Sequence, residues 1–299
     1  ADADLAACEG RLVLLIGERD QLPKGLPPAA RKSLARALGS KQWGEVKPGG
    51  ALEIAFPAGL AADAVQLLRL PRRADVATAR KAGAAVGARM GKAEVTVLCS
   101  GHPRIAELTL GIALRGYDFS TYKTSPAGEG EAEAAGDVPA QPPQAMTHGA
   151  APDARLNDAS GQPAEPAAEE QGAVAAQPGK ARVTVLCSDP ESAARAAQDG
   201  AALAEGVFFT RDLINEPANV LTTSDFADRL LAMRELGLEV EVLDEDELSR
   251  LGMRALLAVG QGSESPSKVV VMRWQGGGDA APLALVGKGV VFDTGGISI

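Results

Sequence analysis

The residues best suited to chemistry lie in a glycine-rich segment near residue 290. It combines four glycines with one lysine and one carboxylate: Gly287, Lys288, Gly289, Asp293, Gly295 and Gly296. A lysine at the mouth of an α/β sheet must be paired with anions or be neutral, because burial of an ammonium group is costly and lowers its pKa. A neutral amine can bind a metal ion.

Lys288 and Asp293 can converge only if the backbone between them is irregular. Residues five apart in a regular strand point to opposite faces. Gly289 permits the irregularity that convergence needs. The alternative is a glycine-rich strand end that carries a surface lysine–aspartate pair.

Other catalytic chemistries have weaker support. Gly260-Gln-Gly-Ser263 lacks the third glycine and following helix of a dinucleotide site, and Gly287-Lys288-Gly289 lacks the Ser or Thr of a phosphate loop. His102 and His148 are the only histidines, so a histidine metal cluster is excluded. No serine or cysteine has an evident positioned base for nucleophilic catalysis.

The elements that would position this segment fall into three predicted parts, residues 1–124, 125–180 and 181–299. Residues 125–180 are rich in alanine, proline, glycine and glutamate and contain few large apolar residues, so we expect a disordered linker there. The linker also carries most of the net charge of -9. With little basic surface elsewhere, the charge argues against binding of nucleic acid.

The first part alternates strands and helices, which predicts an α/β domain with a helix-covered sheet. Strands are predicted at 11–16 and 94–99, and helices at 74–90 and from about 104 to 116. The sequence Val-Thr-Val-Leu-Cys-Ser occurs at 95–100 and again at 183–188. A duplicated strand–helix unit and the convergence of two buried strands explain this repeat equally well.

The third part also alternates helices and strands. A long helix should follow Asp189-Pro190 and stop before Pro217, and a second should begin at Thr222, which forms a capping box with Asp225. We expect a short helix at 245–251 and strands at 238–243, 268–274 and 283–286.

Cysteine usage and the first residues favour a cytoplasmic protein. Cys8, Cys99 and Cys187 form no Cys-x-x-Cys pair, which indicates reduced thiols. The first nine residues do not read as a signal peptide, and no apolar run has the roughly 20 residues of a membrane span.

Three separated motifs together resemble the leucyl (cytosol) aminopeptidases. They are Arg211-Asp-Leu-Ile-Asn-Glu-Pro-Ala-Asn-Val-Leu221, Gly260-Gln-Gly-Ser263 and Leu285-Val-Gly-Lys-Gly-Val-Val-Phe-Asp-Thr-Gly-Gly-Ile-Ser-Ile299. The stretch from Glu107 to Thr124, ending in Tyr-Asp-Phe-Ser-Thr-Tyr-Lys-Thr, is similar to the end of that family's N-terminal domain.

The resemblance implies a two-metal enzyme that removes N-terminal residues, leucine-type ones by preference, from peptide substrates. Lys288 would bind one metal ion and Asp293 would bridge both, with manganese or zinc as the ions. The fold implied is an N-terminal α/β domain followed by the first part of an α/β metallo-exopeptidase catalytic domain. A homo-oligomer, hexameric in the family, is implied as well.

The family's remaining metal ligands and catalytic residues would follow residue 299. Two divalent ions close together need several carboxylates, so Lys288 and Asp293 would form an incomplete site and this chain would contain no catalytic residue. We therefore expect weak or absent metal binding and no activity for these 299 residues alone. The alternative function is a non-catalytic fragment or an assembly or binding module.

Overall fold

A five-stranded mixed sheet forms the centre of the N-terminal part. The computed structural model describes residues 4–122 and 182–292. The strands are β1 (Arg11–Ile16), β2 (Ala51–Ala55), β3 (Ala64–Arg69), β4 (Val95–Leu98) and β5 (Val183–Leu186). Their order is β2-β3-β1-β4-β5, with β2 antiparallel to β3 and the other neighbours parallel. The α/β fold class predicted from the sequence is confirmed.

The repeated sequence forms two neighbouring strands. β4 and β5 pair in parallel with Val95 opposite Val183 and Leu98 opposite Leu186, so identical residues face each other. The predicted division at residue 180 assigned 183–186 to the third part, whereas this pairing adds them to the first sheet. Pairing with β5 satisfies the backbone groups of β4 that would otherwise be left unpaired at an edge.

Helices cover both faces of this sheet and enclose two apolar cores. They are α1 (Pro28–Leu38), α2 (Lys41–Glu45), α3 (Val76–Gly87) and α4 (Ile105–Arg115). One core packs Leu12, Leu14 and Ile16 of β1 against Leu34 and Trp43. The other packs the opposite face of the sheet against α3 and α4. Successive side chains of β1 point to opposite faces of the sheet, which explains why one strand contributes to both cores.

Glycines bring α3 and α4 into backbone contact. A Cβ atom added to Gly83 would collide with the carbonyl oxygen of Leu108, and one added to Gly111 would collide with the carbonyl oxygen of Arg80. A Cβ on Gly87 would lie 2.6 Å from the carbonyl oxygen of Ile112. The two helices therefore pack more closely than any larger side chain would allow.

A 26-residue helix, α5 (Pro190–Asn215), follows β5 and packs along α4. It begins at Asp189, whose side chain accepts a hydrogen bond from the Ser192 N–H, and it stops two residues before Pro217. Both the long helix and its proline stop were predicted. The stop has a simple cause, because a residue that precedes proline is pushed out of the helical region.

The remaining described elements are a two-stranded antiparallel sheet and the helices around it. They are α6 (Thr223–Leu231), a 3-10 turn (Ala232–Leu236), β6 (Glu239–Leu243), α7 (Glu245–Arg250), α8 (Arg254–Gly260) and β7 (Val269–Arg273). The predicted capping box is present, with both Thr222 and Asp225 making their hydrogen bonds. β6 pairs with β7 from Glu239 opposite Arg273 to Leu243 opposite Val269.

The strand predicted at 283–286 is not formed. These residues are irregular, and Leu283, Leu285 and Val286 are 86%, 88% and 99% exposed. The prediction was wrong because an apolar run becomes a strand only when a neighbour supplies backbone partners, and no strand within 4–122 or 182–292 pairs with it. Among the described helices, none has the length and apolarity to cross a membrane.

Candidate functional site

The glycine–lysine segment lies beside α6 rather than at the end of a buried strand. Lys288 is exposed, and Gly287 has open space around it. A Cβ on Gly289 would lie 3.0 Å from Cε1 of Phe226, so the backbone here rests against the Phe226 ring. A side chain at position 289 would therefore require the Phe226 ring to shift by a few tenths of an ångström.

The other predicted site residues, Asp293, Gly295 and Gly296, lie outside the described residues. The convergence of Lys288 and Asp293 stays a prediction. Within the described ranges no three His, Cys, Asp or Glu side chains are grouped as metal ligands. Lys288 by itself offers one exposed amine, which does not fit a two-metal centre, because such a centre needs several anionic oxygen ligands.

Two of the motifs quoted from the sequence meet at the end of α5. The Tyr117 hydroxyl donates a hydrogen bond of 2.6 Å to Oδ1 of Asp212 and accepts one of 3.0 Å from Nδ2 of Asn215. The Arg211 guanidinium lies over the Tyr117 ring at 5.2 Å from its centroid. Its Nη1 donates to the carbonyl oxygen of Leu114 at 2.7 Å. We call Tyr117, Arg211, Asp212 and Asn215 the Tyr117 junction.

The electrostatics of the Tyr117 junction favour a neutral phenol. Loss of solvation, and then the hydrogen bond to the Asp212 carboxylate, raise the pKa of Tyr117 above its ordinary value. The phenol therefore remains a hydrogen-bond donor through the neutral pH range. The centroid of the Phe208 ring lies 5.4 Å from that of the Tyr117 ring. Phe208 lies on α5, so this helix also makes an aromatic contact with Tyr117.

An ion pair holds the chain after α5 against α6. Oε1 of Glu216 lies 3.3 Å from Nη2 of Arg229, and the Glu216 side chain is only 12% exposed. Pro217 then starts a tight turn in which its carbonyl oxygen accepts from the N–H groups of Val220 and Leu221. The Asn215-Glu-Pro-Ala-Asn219 sequence thus fixes the turn from α5 into α6.

The Gly260-Gln-Gly-Ser263 motif has a packing role in the described structure. A Cβ atom on Gly260 would collide with the Ser267 hydroxyl, so a larger residue where α8 ends would force that hydroxyl to rotate away. The Ser267 N–H in turn donates to Oε1 of Glu245 at 2.8 Å. These contacts hold the loop between α8 and β7 against the start of α7.

Comparison with known proteins connects these motifs to one family. Residues 208–299 match the sequence model described as the cytosol aminopeptidase family, catalytic domain. A probable cytosol aminopeptidase of Cereibacter sphaeroides is 48% identical over 299 residues, which cover 99% of this chain and 51% of that protein. One of Dinoroseobacter shibae is 43% identical over 298 residues, again 99% of this chain and 51% of that protein.

Residues 208–299 therefore match the catalytic domain of the cytosol aminopeptidase family, and the chain as a whole is similar to relatives of that name. It spans about half the length of the curated relatives it matches. The resemblance drawn from the three sequence motifs is therefore confirmed at the level of the family.

Solved structures show the same fold. The bottromycin maturation enzyme BotP superposes with a TM-score of 0.53 at 24% identity, over 89% of this chain and 45% of BotP. A tomato leucine aminopeptidase mutant superposes with a TM-score of 0.56 at 15% identity, over 88% of this chain and 47% of its own. A second solved structure is that of BotP in complex with Mn.

Sequence reasoning missed the roles of Tyr117, Asp212 and Asn215. All three stand in motifs that were quoted for the family resemblance, but no contact between them was predicted. The available signal was the presence of a tyrosine at the end of one motif and of paired polar residues in the other. Because they are almost one hundred positions apart in sequence, only the packing of α5 on α4 brings them together.

Proposed function

We propose that this chain is part of a metal-dependent aminopeptidase that removes N-terminal residues, leucine-type ones by preference, from peptides. The observation that carries the proposal is the match of residues 208–299 to the family's catalytic domain. Relatives named probable cytosol aminopeptidase, aligned over nearly the whole chain, support the same activity and a cytoplasmic location.

Lys288 and Asp293 are the metal ligands that we propose from this chain. The glycines around them would allow the backbone to come close to the metal ions; they are Gly287, Gly289, Gly295 and Gly296. Manganese or zinc is proposed as the ion, and the solved complex of BotP with Mn supports divalent metal use in this fold. One amine and one carboxylate cannot neutralise two divalent ions, so further ligands are required. We expect the 299-residue chain alone to bind metal weakly and to lack peptidase activity.

The Tyr117 junction and the turn from α5 into α6 supply the framework in this proposal. α5 ends at Asn215, and the turn that follows leads into α6, against which Gly289 packs. The position of the glycine–lysine segment therefore depends on α6 and on the contacts that hold α6. A homo-oligomer, hexameric by family resemblance, is part of the same proposal, and nucleic acid is not a proposed partner.

Hydrolysis of a leucine amide tests the function. The assay compares the 299-residue chain with a longer protein that continues to the length of the relatives, each with Mn²⁺ or Zn²⁺ added. In the longer protein we expect turnover, loss of all activity in Asp293→Ala, and a large reduction with weaker metal binding in Lys288→Ala. Metal stoichiometry measured by calorimetry provides a second readout.

Matched controls separate these effects from a general loss of charge. Asp279 and Lys92 are exposed, so Asp279→Ala and Lys92→Ala should keep full activity. If the longer protein bound neither metal and hydrolysed no leucine amide, the alternative of an assembly or binding module would replace the enzyme. Turnover by the 299-residue chain would show that its ligand set is complete.

A further inference from the structure

Two free cysteines occupy equivalent positions at the ends of β4 and β5. The ladder between these strands ends with Leu98 opposite Leu186, and Cys99 and Cys187 are the next residues. The register continues one step further, since the Cys99 N–H donates to the carbonyl oxygen of Leu186 at 2.8 Å. Cys99 and Cys187 are therefore direct neighbours across the sheet.

Both thiols point to the same face. Val95, Val97 and Cys99 belong to the core that packs on α3 and α4, and Val183, Val185 and Cys187 pack against that same core. Leu98 and Leu186 pack with the other core. Because side chains alternate along a strand, the identical patterns of β4 and β5 place the two sulfur atoms side by side.

The spacing suits a disulfide. Neighbouring strands lie about 4.8 Å apart, and disulfides join Cα atoms that are about 4.4 to 6.8 Å apart. The loops beyond the thiols also run close together, since a Cβ on Gly101 would lie 2.7 Å from Oγ of Ser188. The spacing of neighbouring strands therefore falls within the Cα range that a disulfide spans.

The two thiols differ in reactivity. Cys99 is 3% exposed, whereas Cys187 is only partly buried. Burial, and then the nearby Cys187, raise the pKa of Cys99 to about 12. A thiolate is the reactive species, so Cys187 is the thiol that an external oxidant meets first, and Cys99 follows more slowly.

We propose that Cys99 and Cys187 form a redox-sensitive pair that closes to a disulfide when the protein meets an oxidised low-molecular-weight thiol. The Cys187 thiolate attacks the external disulfide, forms a mixed disulfide and releases one thiolate. Cys99 then loses its proton and attacks the Cys187 sulfur, which forms the Cys99–Cys187 bond and releases the second thiolate. Two protein thiols are oxidised and one external disulfide is reduced to two thiols.

The bond would join the two sides of the segment that links α4 to β5. Residues 123–181, which lie outside the described ranges, fall within the loop that it closes. Oxidation would thus tie β5 covalently to the sheet that β5 completes, independently of the chain between them.

Peptide mapping after treatment with oxidised glutathione tests the pair. The folded protein is alkylated without reductant and digested with trypsin, which releases Cys99 in peptide 93–104 and Cys187 in peptide 183–195. We expect these two peptides to appear joined, with the mass of the pair less two hydrogens, and to separate on reduction. Cys8, in peptide 1–11, is the internal control and should not appear joined to either of them.

Two variants identify the order of reaction. Cys187→Ser should abolish the joined peptide and leave Cys99 unmodified. In Cys99→Ser the reaction should end at the mixed disulfide between Cys187 and glutathione. Cys8→Ser should react like the unmodified protein. The proposal is overturned if the unmodified protein ends with glutathione on Cys187 and no joined peptide, or if both thiols stay unreactive until denaturant is added.

Discussion

Tyr117 has a hydroxyl group that is used fully, as donor to Asp212 and as acceptor from Asn215. Its ring lies beneath Arg211 and beside Phe208. One side chain thus connects the segment after α4 with the last turns of α5. These contacts explain the residues that the two motifs contribute to the Tyr117 junction. No catalytic role is needed to explain them.

Replacing Tyr117 with phenylalanine should lower the thermal midpoint by a few degrees. The change keeps the ring contacts but leaves the Asp212 carboxylate and the Asn215 amide without their shared partner, and such unpaired groups cost stability. Asn219→Ala is the matched control, because Asn219 is an exposed asparagine in the same motif. Calorimetry of the two variants should show a shift only for Tyr117→Phe.

The same hydroxyl predicts how this difference depends on pH. The pKa of Tyr117 is raised in the folded protein above its ordinary value of 10.0, so folding favours the protonated phenol. The stabilisation that the Tyr117 hydroxyl contributes is then fully present below the ordinary pKa. It is lost as the pH rises through the pKa of the folded state. The gap between the midpoints of the native protein and Tyr117→Phe should be constant at neutral pH and shrink in strongly alkaline buffer. A gap that widened with pH would contradict the hydrogen bond to Asp212.

Among the helices, α3 and α4 depend on glycine for their contact. Gly111→Ala should destabilise the protein by about 1 to 3 kcal/mol, because the added methyl group must push the backbone of Arg80 away. Gly206→Ala is the matched control in α5, where no atom lies within 4 Å of the added Cβ. That variant should be neutral or stabilising by up to about 1 kcal/mol, since alanine favours helix. Urea titration distinguishes the two, and equal effects would show that α3 and α4 are not tightly packed.

Local sequence signals predicted most of the elements. The helix from Pro190 to Asn215, its proline stop and the Thr222 capping box all depend on residues close together in sequence. The glycine contacts of α3 and α4 and the pairing of β5 depend on residues far apart, which no local pattern reveals. The strand expected at 283–286 is not formed for the same reason, because the sequence of a segment does not show whether a neighbouring strand is available to pair with it.

The candidate site was predictable to a similar extent. The motif around Lys288 and Asp293 indicated the family only together with the motifs at 211–221 and 260–263, because the three stand in order along the sequence. The surroundings of Lys288 could not be predicted, because the ring of Phe226 approaches Gly289 through the folding of α6. The Tyr117 junction was likewise hidden by its long sequence separation.

At the scale of the whole molecule, residues on both sides of 123–181 build one sheet. β5 pairs with β4, and α5 packs along α4, so the N-terminal unit depends on chain that follows the predicted linker. The composition of 125–180 predicts that a protease cuts there first.

Cleavage in that segment should therefore leave the two fragments associated. In the presence of a thiol reductant, we expect both fragments to elute together on gel filtration after brief proteolysis, and to separate only in concentrated urea. The β4–β5 ladder and the α4–α5 contact hold them without a covalent link. Separation in native buffer would contradict the proposed continuity of the sheet. Cutting outside 125–180 would contradict the predicted linker.

The late position of β5 also constrains how the protein folds as it leaves the ribosome. β4 emerges with one edge open, and the strand that covers this edge is synthesised about 90 residues later. At ordinary elongation rates that delay is roughly 4 to 18 s, far longer than the time in which local helices form. During this interval the nascent chain presents an unpaired Val-Thr-Val-Leu edge, to which a second nascent chain on the same messenger could pair through its own copy of the repeat. The identity of the two strands thus permits closure within one chain and, where ribosomes are closely spaced on the messenger, exchange between chains.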